Sequence, residues 1–337
     1  MAVTLRDVAR LAGVSVKTAS NVVNGYSFVK PENRRRVEEA LAATGYRPNI
    51  GARNLRRGRT GFIALVVPEL GIPYFGELAS MMITAGREQG WTVLIEQTPA
   101  TREGERAVLE ALGPHLIDAA VISPEALHAA DFADLDPGVP LVMIGEHSVD
   151  VRIDHVAIDN VLAARTAVGH LVEIGRTRIA AIGEHPYRTT AALRLAGYRE
   201  ALAAGGLPQP PELVWPAVRY HRQNGAEAMA GLLDLPEPPD AVFCFNDLLA
   251  IGALRTIAER GLRVPEDIAV VGFDNTEEGA YSRPSLTSVA PDKLAIARTA
   301  VDLARRRVTE TGEEFEPENI QTPFRLEIRE STAGCRP

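Results

Sequence analysis

From residue 61 onward, short apolar runs alternate with longer segments whose apolar residues recur at helical spacing. The short runs have the length and β-branched content of buried strands, and the longer segments are typical of amphipathic helices. Because parallel strands need crossover connections, this alternation predicts parallel sheets covered by helices. The strand candidates are FIALVV, WTVLIE, IDAAVIS, PLVMIG, RIAAIG, AVFCF and IAVVGF.

The size of this alternating region limits how it can fold. It spans about 270 residues, more than one open sheet usually holds. The alternation of strand and helix patterns begins again near Asp159. The region is therefore predicted to form two Rossmann-like α/β lobes with a cleft between them. In open α/β sheets, ligands bind beyond the carboxyl ends of the strands, so residues at the strand ends are the candidates for ligand contact.

The first sixty residues differ in charge from the rest of the chain. They contain 12 Lys/Arg and 4 Asp/Glu, whereas the remainder contains 24 Lys/Arg and 40 Asp/Glu. A compact basic segment on an acidic body is typical of a part that binds a polyanion. A solvated charged surface is the alternative, and the residue pattern has to decide between them.

Residues 1–46 carry three helix patterns. TLRDVARLAG opens with a capping box at Thr4 and Asp7, and Gly13 is placed to end that helix. Ser15 can cap a second helix, VKTASNVV, and a third is predicted over PENRRRVEEALAAT, with its three consecutive arginines facing solvent. Two short helices around a Gly-Val-Ser turn predict a helix-turn-helix.

In a helix-turn-helix, the second helix enters the major groove of DNA. Its predicted outward residues include Lys17, which suits guanine, Asn21, which suits adenine, and Val16, which can contact a thymine methyl group. The alternative is a small three-helix bundle with a merely polar surface. Residues better placed for the phosphate backbone are Thr4, Ser15, Thr18, Ser20 and Asn24.

At this point the sequence resembles a known family. The segments TLRDVARLAGVSVKTASNVVNG, PENRRRVEEALAATGYRPN and ARNLRRGRTG resemble the LacI/GalR family of bacterial transcription regulators. The resemblance covers essentially the whole chain and places Val16, Lys17 and Asn21 at the base-reading positions. It implies a periplasmic-binding-protein-like body with an effector between the lobes, a homodimer and operator DNA as partner. The two isolated cysteines, Cys244 and Cys335, argue for a cytoplasmic location.

The basic stretch that follows the head resembles the hinge helix of this family. A helix of about nine residues is too short to persist alone in water, and Gly51 inside it costs about 1 kcal/mol relative to alanine. We expect it to order only in the minor groove, where Leu55 would wedge a base step and Asn49 would contact the backbone. A flexible basic linker is the alternative. The hinge candidates are Ala52, Arg53, Leu55 and Arg56.

Polar and aromatic residues at the strand ends suit a small polar ligand. Arg194 can bind two acceptors with its fork, Asp274 can accept two donors, and Tyr220 offers a flat face. Each also has a structural alternative: a surface ion pair, a helix or turn cap, or a core position. The effector-binding candidates, all matched by the family resemblance, are Tyr74, Phe75, Arg188, Thr190, Arg194, Tyr220, Asn246 and Asp274.

The class of effector stays open. The Arg-Thr-Arg spacing with Tyr-Phe and Asp274 resembles purine-responsive members of the family, whereas FNDLLAIGA resembles sugar-responsive members. After VPLVMI the chain reads Gly145-Glu146, where many members have an acid followed by a basic residue. A sugar or sugar derivative is the prediction, with a purine-type corepressor as the alternative.

Motifs of enzymes, cofactors and membranes are missing. The chain has no GxGxxG after a strand, no GxxxxGK[ST], no GxSxG, no HExxH, and no apolar run long enough to cross a bilayer. Its two cysteines are far apart, which argues against a disulfide frame or a zinc site. We predict a non-enzyme without metal or cofactor; a sugar-binding or sugar-modifying protein without a DNA role is the rival.

Together these observations predict an all-α helix-turn-helix head and an α/β body of two lobes. The expected segments are a DNA-binding head at 1–46, a hinge at 47–60 and an effector-binding and dimerisation domain at 61–337. Lobe one should comprise about 61–158 and 290–320, and lobe two about 159–289 and 321–337. The expected function is that of a ligand-responsive repressor that binds a palindromic operator as a dimer.

Overall fold

The computed structural model describes residues 3–23, 25–46, 59–127, 131–132, 134–135, 138–145, 153–186, 189–309 and 316–333. The chain divides into two compact units, residues 1–60 and 61–337. The first unit is helical and the second contains two six-stranded sheets. The predicted fold class, a helical head followed by a two-lobed α/β body, is confirmed. In these ranges no helix is both long and apolar enough to span a bilayer.

The described residues of the first unit form three helices with the predicted caps. They are α1 (Leu5–Ala12), α2 (Val16–Val23) and α3 (Pro31–Thr44). The Asp7 carboxylate accepts the backbone N–H of Thr4 at 3.0 Å and its hydroxyl at 2.6 Å. Gly13 ends α1 with a left-handed φ of 62°, and Ser15 Oγ accepts the backbone N–H of Thr18 at 3.0 Å. The Asp7 contacts fix the start of α1, and those of Gly13 and Ser15 fix the turn between α1 and α2.

Small side chains let the three helices pack closely, and Val8, Ala19 and Val37 are fully buried where they meet. Two of the three α3 arginines, which the sequence predicted to point largely to solvent, are half-buried and hydrogen-bond neighbouring carbonyls. Arg34 donates to the Tyr26 carbonyl at 2.6 Å, and Arg36 donates to the Gly13 carbonyl at 3.3 Å. The long arginine stem lets a guanidinium reach a neighbouring turn, so these residues fasten α3 to the loops around α2.

The second unit contains twelve strands and nine helices in its described part. Its strands are β1 (Phe62–Val67), β2 (Thr92–Gln97), β3 (Ala119–Ile122), β4 (Leu141–Ile144), β5 (Asp154–Ala157), β6 (Ile179–Glu184), β7 (Val214–Pro216), β8 (Ala241–Cys244), β9 (Ala269–Phe273), β10 (Thr287–Pro291), β11 (Asn319–Gln321) and β12 (Phe324–Glu327). Its helices are α4 (Pro73–Glu88), α5 (Arg102–Ala111), α6 (Asn160–Glu173), α7 (Thr189–Ala204), α8 (Arg222–Leu233), α9 (Asp247–Glu259), α10 (Glu277–Tyr281), α11 (Lys293–Thr309) and α12 (Glu330–Ala333).

The two sheets define two lobes. Sheet one has the order β11-β5-β4-β3-β1-β2 with all strands parallel. Sheet two has the order β12-β10-β9-β8-β6-β7 and is parallel except for the antiparallel edge strand β12. We define lobe one as sheet one with α4, α5 and α11. Lobe two is sheet two with α6 to α10 and α12.

The chain passes between the lobes three times. It enters lobe two at Asp159, whose side chain caps α6 by accepting the Leu162 N–H at 2.8 Å. It returns after β10, because α11 packs against α4, β3, β4 and β5, and it crosses again between β11 and β12. Three adjacent crossings leave the carboxyl ends of both parallel sheets facing one cleft.

Backbone contact between helices makes lobe two compact. At Gly252 in α9, a Cβ atom would lie 1.9 Å from the Arg222 carbonyl oxygen, and at Gly225 in α8 it would lie 2.1 Å from the Leu249 carbonyl oxygen. No side chain fits at such distances, so α8 and α9 approach one another only because both positions are glycine. This close pair supports the turn before α9, which carries part of the site described next.

Candidate functional site

One cavity lies between the two lobes, at the carboxyl ends of both sheets. Its volume is about 1160 Å³ when the open solvent at its mouth is included. Seven of the eight predicted effector residues line it, and the eighth, Arg188, lies outside the described residues. The seven are Tyr74, Phe75, Thr190, Arg194, Tyr220, Asn246 and Asp274.

Arg194 is fixed in the cavity wall rather than at the protein surface. It is only 8% exposed, and its Nε donates to Asn160 Oδ1 at 2.8 Å. Its Nη1 donates to the Phe245 carbonyl, and its guanidinium lies 3.4 Å above the centroid of the Phe273 ring. Stacking and hydrogen bonds hold the fork in one orientation. The alternative of a surface ion pair is therefore wrong for this residue.

Asp274 follows β9 and brings a buried carboxyl group to the same wall. It is 8% exposed, and its φ of 106° is rare for a residue other than glycine. Burial raises the pKa of Asp274 to about 7, although the nearby Arg194 guanidinium opposes that rise and the Asp247 carboxylate reinforces it. A carboxyl group in this state can act as a donor or an acceptor near neutral pH.

Asn246 and Tyr220 line the cavity while making contacts within lobe two. Asn246 Oδ1 accepts the Leu249 N–H at 2.9 Å, so this residue is the N-cap of α9, as one of the alternatives proposed. Its Nδ2 donates to the Tyr220 carbonyl at 3.0 Å. The Tyr220 hydroxyl donates to the Gly183 carbonyl at 2.5 Å. Both side chains are thus held rigidly, and Tyr220 presents mainly its ring.

Lobe one supplies an aromatic pair to the opposite wall. Tyr74 and Phe75 belong to the first turn of α4, directly after Pro73, a residue favoured at that position. Their ring centroids are 5.3 Å apart at an interplanar angle of 76°, an edge-to-face arrangement. Thr190 lies in the first turn of α7 in lobe two. The structure thus brings together predicted residues that are as much as 200 positions apart.

The lining residues that sequence reasoning missed include Asn160, Phe273 and Glu125. Asn160 follows β5, and Phe273 is the last residue of β9. The expectation that ligand contacts lie at strand ends, here called the strand-end rule, could therefore have found both. Glu125 lies on a loop fixed by a remote side chain. The Glu105 carboxylate, 2% exposed, accepts the backbone N–H groups of residues 125, 126 and 127 at 2.8, 3.1 and 2.9 Å. No sequence signal showed that contact.

The helical unit presents the predicted DNA-reading residues on α2. Val16 is 43% exposed, Lys17 is exposed and Asn21 is half-buried. Among the backbone-contact candidates, Thr4, Ser15 and Thr18 also make the capping contacts of the unit, and Ser20 is half-buried on α2. The candidates that lie outside the described residues are Asn24, Asn49, Ala52, Arg53, Leu55 and Arg56.

Within the described ranges, no group of three or more His, Cys, Asp or Glu side chains is arranged to hold a metal ion. Cys244 is fully buried, and burial raises the pKa of its thiol far above the usual value. A thiol in that state is a poor nucleophile.

Two family profiles match the chain. Residues 4–49 match the family described as bacterial regulatory proteins, lacI family, and residues 168–332 match the periplasmic binding protein-like domain. The first match contains the whole of α1 to α3. The second contains most of lobe two together with α11.

The chain is also similar to individual regulators over most of its length. The HTH-type transcriptional repressor CytR of Escherichia coli (strain K12) is 33% identical over 301 residues, covering 89% of this chain and 88% of CytR. The structure of the transcriptional regulator CelR–cellobiose complex covers 98% of this chain and 99% of its own, with 33% identity and a TM-score of 0.72. The lac repressor dimer bound to operator and the anti-inducer ONPF covers 98% and 99%, with 28% identity and a TM-score of 0.85.

Proposed function

The chain belongs to the LacI family of bacterial regulatory proteins, and from this membership we propose that it is a homodimeric repressor of a near-palindromic operator. It is a DNA-binding transcriptional regulator and not an enzyme, in keeping with its relatives. We place it in the cytoplasm, where its DNA is. Two heads would bind two half-sites, since a single small head buries too little surface for specific affinity.

One observation carries the ligand-responsive part of this proposal. Seven residues selected from the sequence as effector contacts line a single cavity, and they come from both lobes. A ligand that contacts both walls binds one relative pose of the lobes better than another, and only such differential binding can shift the equilibrium between poses. The coupling is reciprocal, so an effector that weakens operator binding must itself bind the operator complex more weakly.

We propose a sugar or sugar derivative as the effector. The wall of lobe two offers a fixed guanidinium at Arg194 and a carboxyl group at Asp274, which together suit the hydroxyl groups of a sugar. The similarity to a regulator solved in complex with cellobiose supports the same class. The flat rings of Tyr74, Phe75 and Phe273 favour a purine-type corepressor instead, so that alternative is part of the test below.

The function assigned to each segment of the chain is also a proposal. We assign residues 1–46 to the DNA-binding head and 47–60 to a hinge that inserts Leu55 into the minor groove, with Ala52, Arg53 and Arg56 beside it. Residues 61–337 are assigned to effector binding and dimerisation. Tyr281, 84% exposed on lobe two, supports a subunit interface there, because exposed aromatic side chains are enriched at such surfaces.

A gel-shift experiment tests the regulator proposal as a whole. The protein should bind DNA from upstream of its own gene, or a sequence selected from random DNA, about 10³-fold more tightly than a shuffled duplex. Competing non-specific DNA and a salt series separate the two kinds of binding. If no duplex is bound even at low salt, the rival of a sugar-binding protein without a DNA role replaces this proposal.

A thermal-shift panel of sugars, sugar phosphates and purines tests the effector class. A compound at about 100 times its Kd should stabilise the body by about 2.7 kcal/mol and raise Tm by about 5 °C. Arg194→Met should remove most of that rise, because the fixed fork in the cavity wall is lost. Arg199→Met, an exposed position on the same helix α7, is the matched control. If the compound raises the Tm of Arg194→Met as much as that of Arg199→Met, the effector binds elsewhere.

A further inference from the structure

The turn that carries Asp274 is conformationally unusual. Asp274 and Asn275 have φ values of 106° and 48°, and they are the two positive-φ residues other than glycine in the described part of the chain. Such conformations persist only where the surroundings over-determine them, and they mark functional segments. Side chains from both lobes hold this turn, residues 274–276, in place.

Most of its anchors belong to lobe two. The Asp247 carboxylate is 1% exposed and accepts the backbone N–H and the hydroxyl of Thr276 at 2.7 and 3.0 Å. Ser288 Oγ accepts the Asn275 N–H at 3.0 Å and donates to Asp247 at 2.6 Å. From the C-terminal segment, Arg329 donates to Asn275 Oδ1 at 2.6 Å. These bonds make the turn one rigid piece with lobe two.

One anchor comes from the other lobe. Lys293, the first residue of α11, donates from Nζ to the Asn275 carbonyl at 3.1 Å and also to the carboxylate of Glu77 in α4. The other oxygen of Glu77 accepts the backbone N–H of Glu277, at the start of α10 in lobe two, at 3.2 Å. Two hydrogen bonds at this turn and at the start of α10 therefore cross between the lobes, and the Lys293–Glu77 pair is common to both. A separate contact, His221 Nε2 to Glu69 Oε2 at 2.9 Å, also joins the lobes.

The environment of Lys293 shows that this ion pair is not an incidental surface contact. Lys293 is 6% exposed, and its ammonium lies 5.6 Å from the ring centroid of Tyr74, a cavity-lining residue of lobe one. It is also the single lysine among residues 61–337, where every other basic side chain apart from histidine is arginine. A compact ammonium with three donors fits between a carboxylate, a carbonyl and a ring face where a planar guanidinium does not.

We propose that Lys293 is a positioning residue that couples the effector-binding turn of lobe two to α4 of lobe one through Glu77. The inference rests on the proposed function. It names the residue through which effector binding in the cleft would affect lobe one, which follows the proposed hinge in the sequence. A ligand that displaces Asp274 displaces the Asn275 carbonyl with it. Because Lys293 donates to that carbonyl, its position changes too. Its ion pair with Glu77 and the hydrogen bond from the Glu277 N–H to Glu77 are then altered.

Operator affinity without any effector tests this coupling. Lys293→Met and Glu77→Gln should each change the Kd for the selected operator duplex by about five- to tenfold, in the same direction. The double variant should change it no more than the larger single change, because both substitutions break one connection. Affinity for a shuffled duplex should stay within twofold of wild type, since the head is unaltered.

The matched control is a second ion pair between the same two helices. Arg298 of α11 and Glu88 of α4 are 3.6 Å apart, and both side chains are 55% exposed. Arg298→Met, Glu88→Gln and their double variant should leave the operator Kd within twofold. Intrinsic fluorescence of Trp91 and Trp215 checks that each body is folded, and sedimentation checks that each variant keeps the subunit association of wild type.

Two results would overturn the inference: an operator Kd within twofold of wild type for Lys293→Met, or additive effects in the Lys293–Glu77 double variant. If Lys293→Met does not fold, an operator Kd within twofold of wild type for both Glu77→Gln and the double variant, which replaces both charges, overturns the inference. Failure of the wild-type protein to bind any selected duplex is a different outcome, because it removes the proposed function and not the coupling alone.

Discussion

Lys17→Ala and Asn21→Ala should each reduce the preference for operator over shuffled DNA by about 5- to 150-fold, because a good bidentate base contact contributes about 1–3 kcal/mol of discrimination. Both side chains lie on α2, and the backbone there is held independently of them. The Asn21 carbonyl accepts the Tyr26 N–H at 3.0 Å, and Ser15 caps the helix. Alanine should therefore remove the base contact and keep the helix.

Binding curves on operator and shuffled duplexes at two salt concentrations measure this effect. Ser20→Ala on the same helix is the control, because loss of a phosphate contact weakens binding to every sequence alike and leaves the ratio unchanged. Val16→Ala should have a smaller effect, since it removes one apolar contact. Wild-type discrimination by both the Lys17 and the Asn21 variants would mean that another face of α2 reads the bases.

The helix ends of the head could be predicted from sequence because the signals that set them are local. Asp7, Gly13 and Ser15 satisfy groups within a few residues of themselves. The orientation of Arg34 and Arg36 could not be predicted in this way. Their acceptors are carbonyls of Tyr26 and Gly13, so the contact depends on how three helices pack.

In the body, long apolar runs gave reliable strands and short ones did not. The six residues of β1 were evident, whereas the three-residue strands β7 and β11 carry too little pattern to distinguish them from loops. The strand-end rule found seven cavity residues because parallel strands deliver their carboxyl ends to one place. Glu105 and Lys293 were beyond its reach, since they act through contacts 20 to 216 residues away in sequence.

Asp274→Asn should make the body more stable at pH 8. It should also nearly remove the fall in the free energy of unfolding that ionisation of Asp274 causes as pH rises. Burial raises the pKa of Asp274 in the folded protein to about 7 from an ordinary 3.8. A carboxyl group with a raised folded pKa stabilises the fold fully below pH 3.8, and this contribution is lost as pH rises through about 7. Between pH 5 and pH 8 the loss amounts to about 3 kcal/mol, and asparagine does not undergo it.

Urea unfolding at pH 5 and pH 8, followed by the fluorescence of Trp91 and Trp215, measures the free energy of unfolding of the body alone. His170, whose pKa burial lowers, is the same in both proteins and cancels in the comparison. Asp247, whose pKa burial raises to about 6, interacts with Asp274, so the difference between wild type and variant reports Asp274 together with its coupling to Asp247.

Asp267→Asn is the matched control, because hydrogen bonds from Arg263 lower the pKa of Asp267 to about 2. Its contribution is complete above pH 4 and changes little between pH 5 and pH 8, so this variant should be destabilised equally at both. A wild-type pH slope in Asp274→Asn would mean that water in the cavity solvates the carboxylate fully. If the slope does flatten, Asp274 changes protonation near neutral pH, and an effector that donates hydrogen bonds to it should bind more tightly as pH rises from 6 to 8.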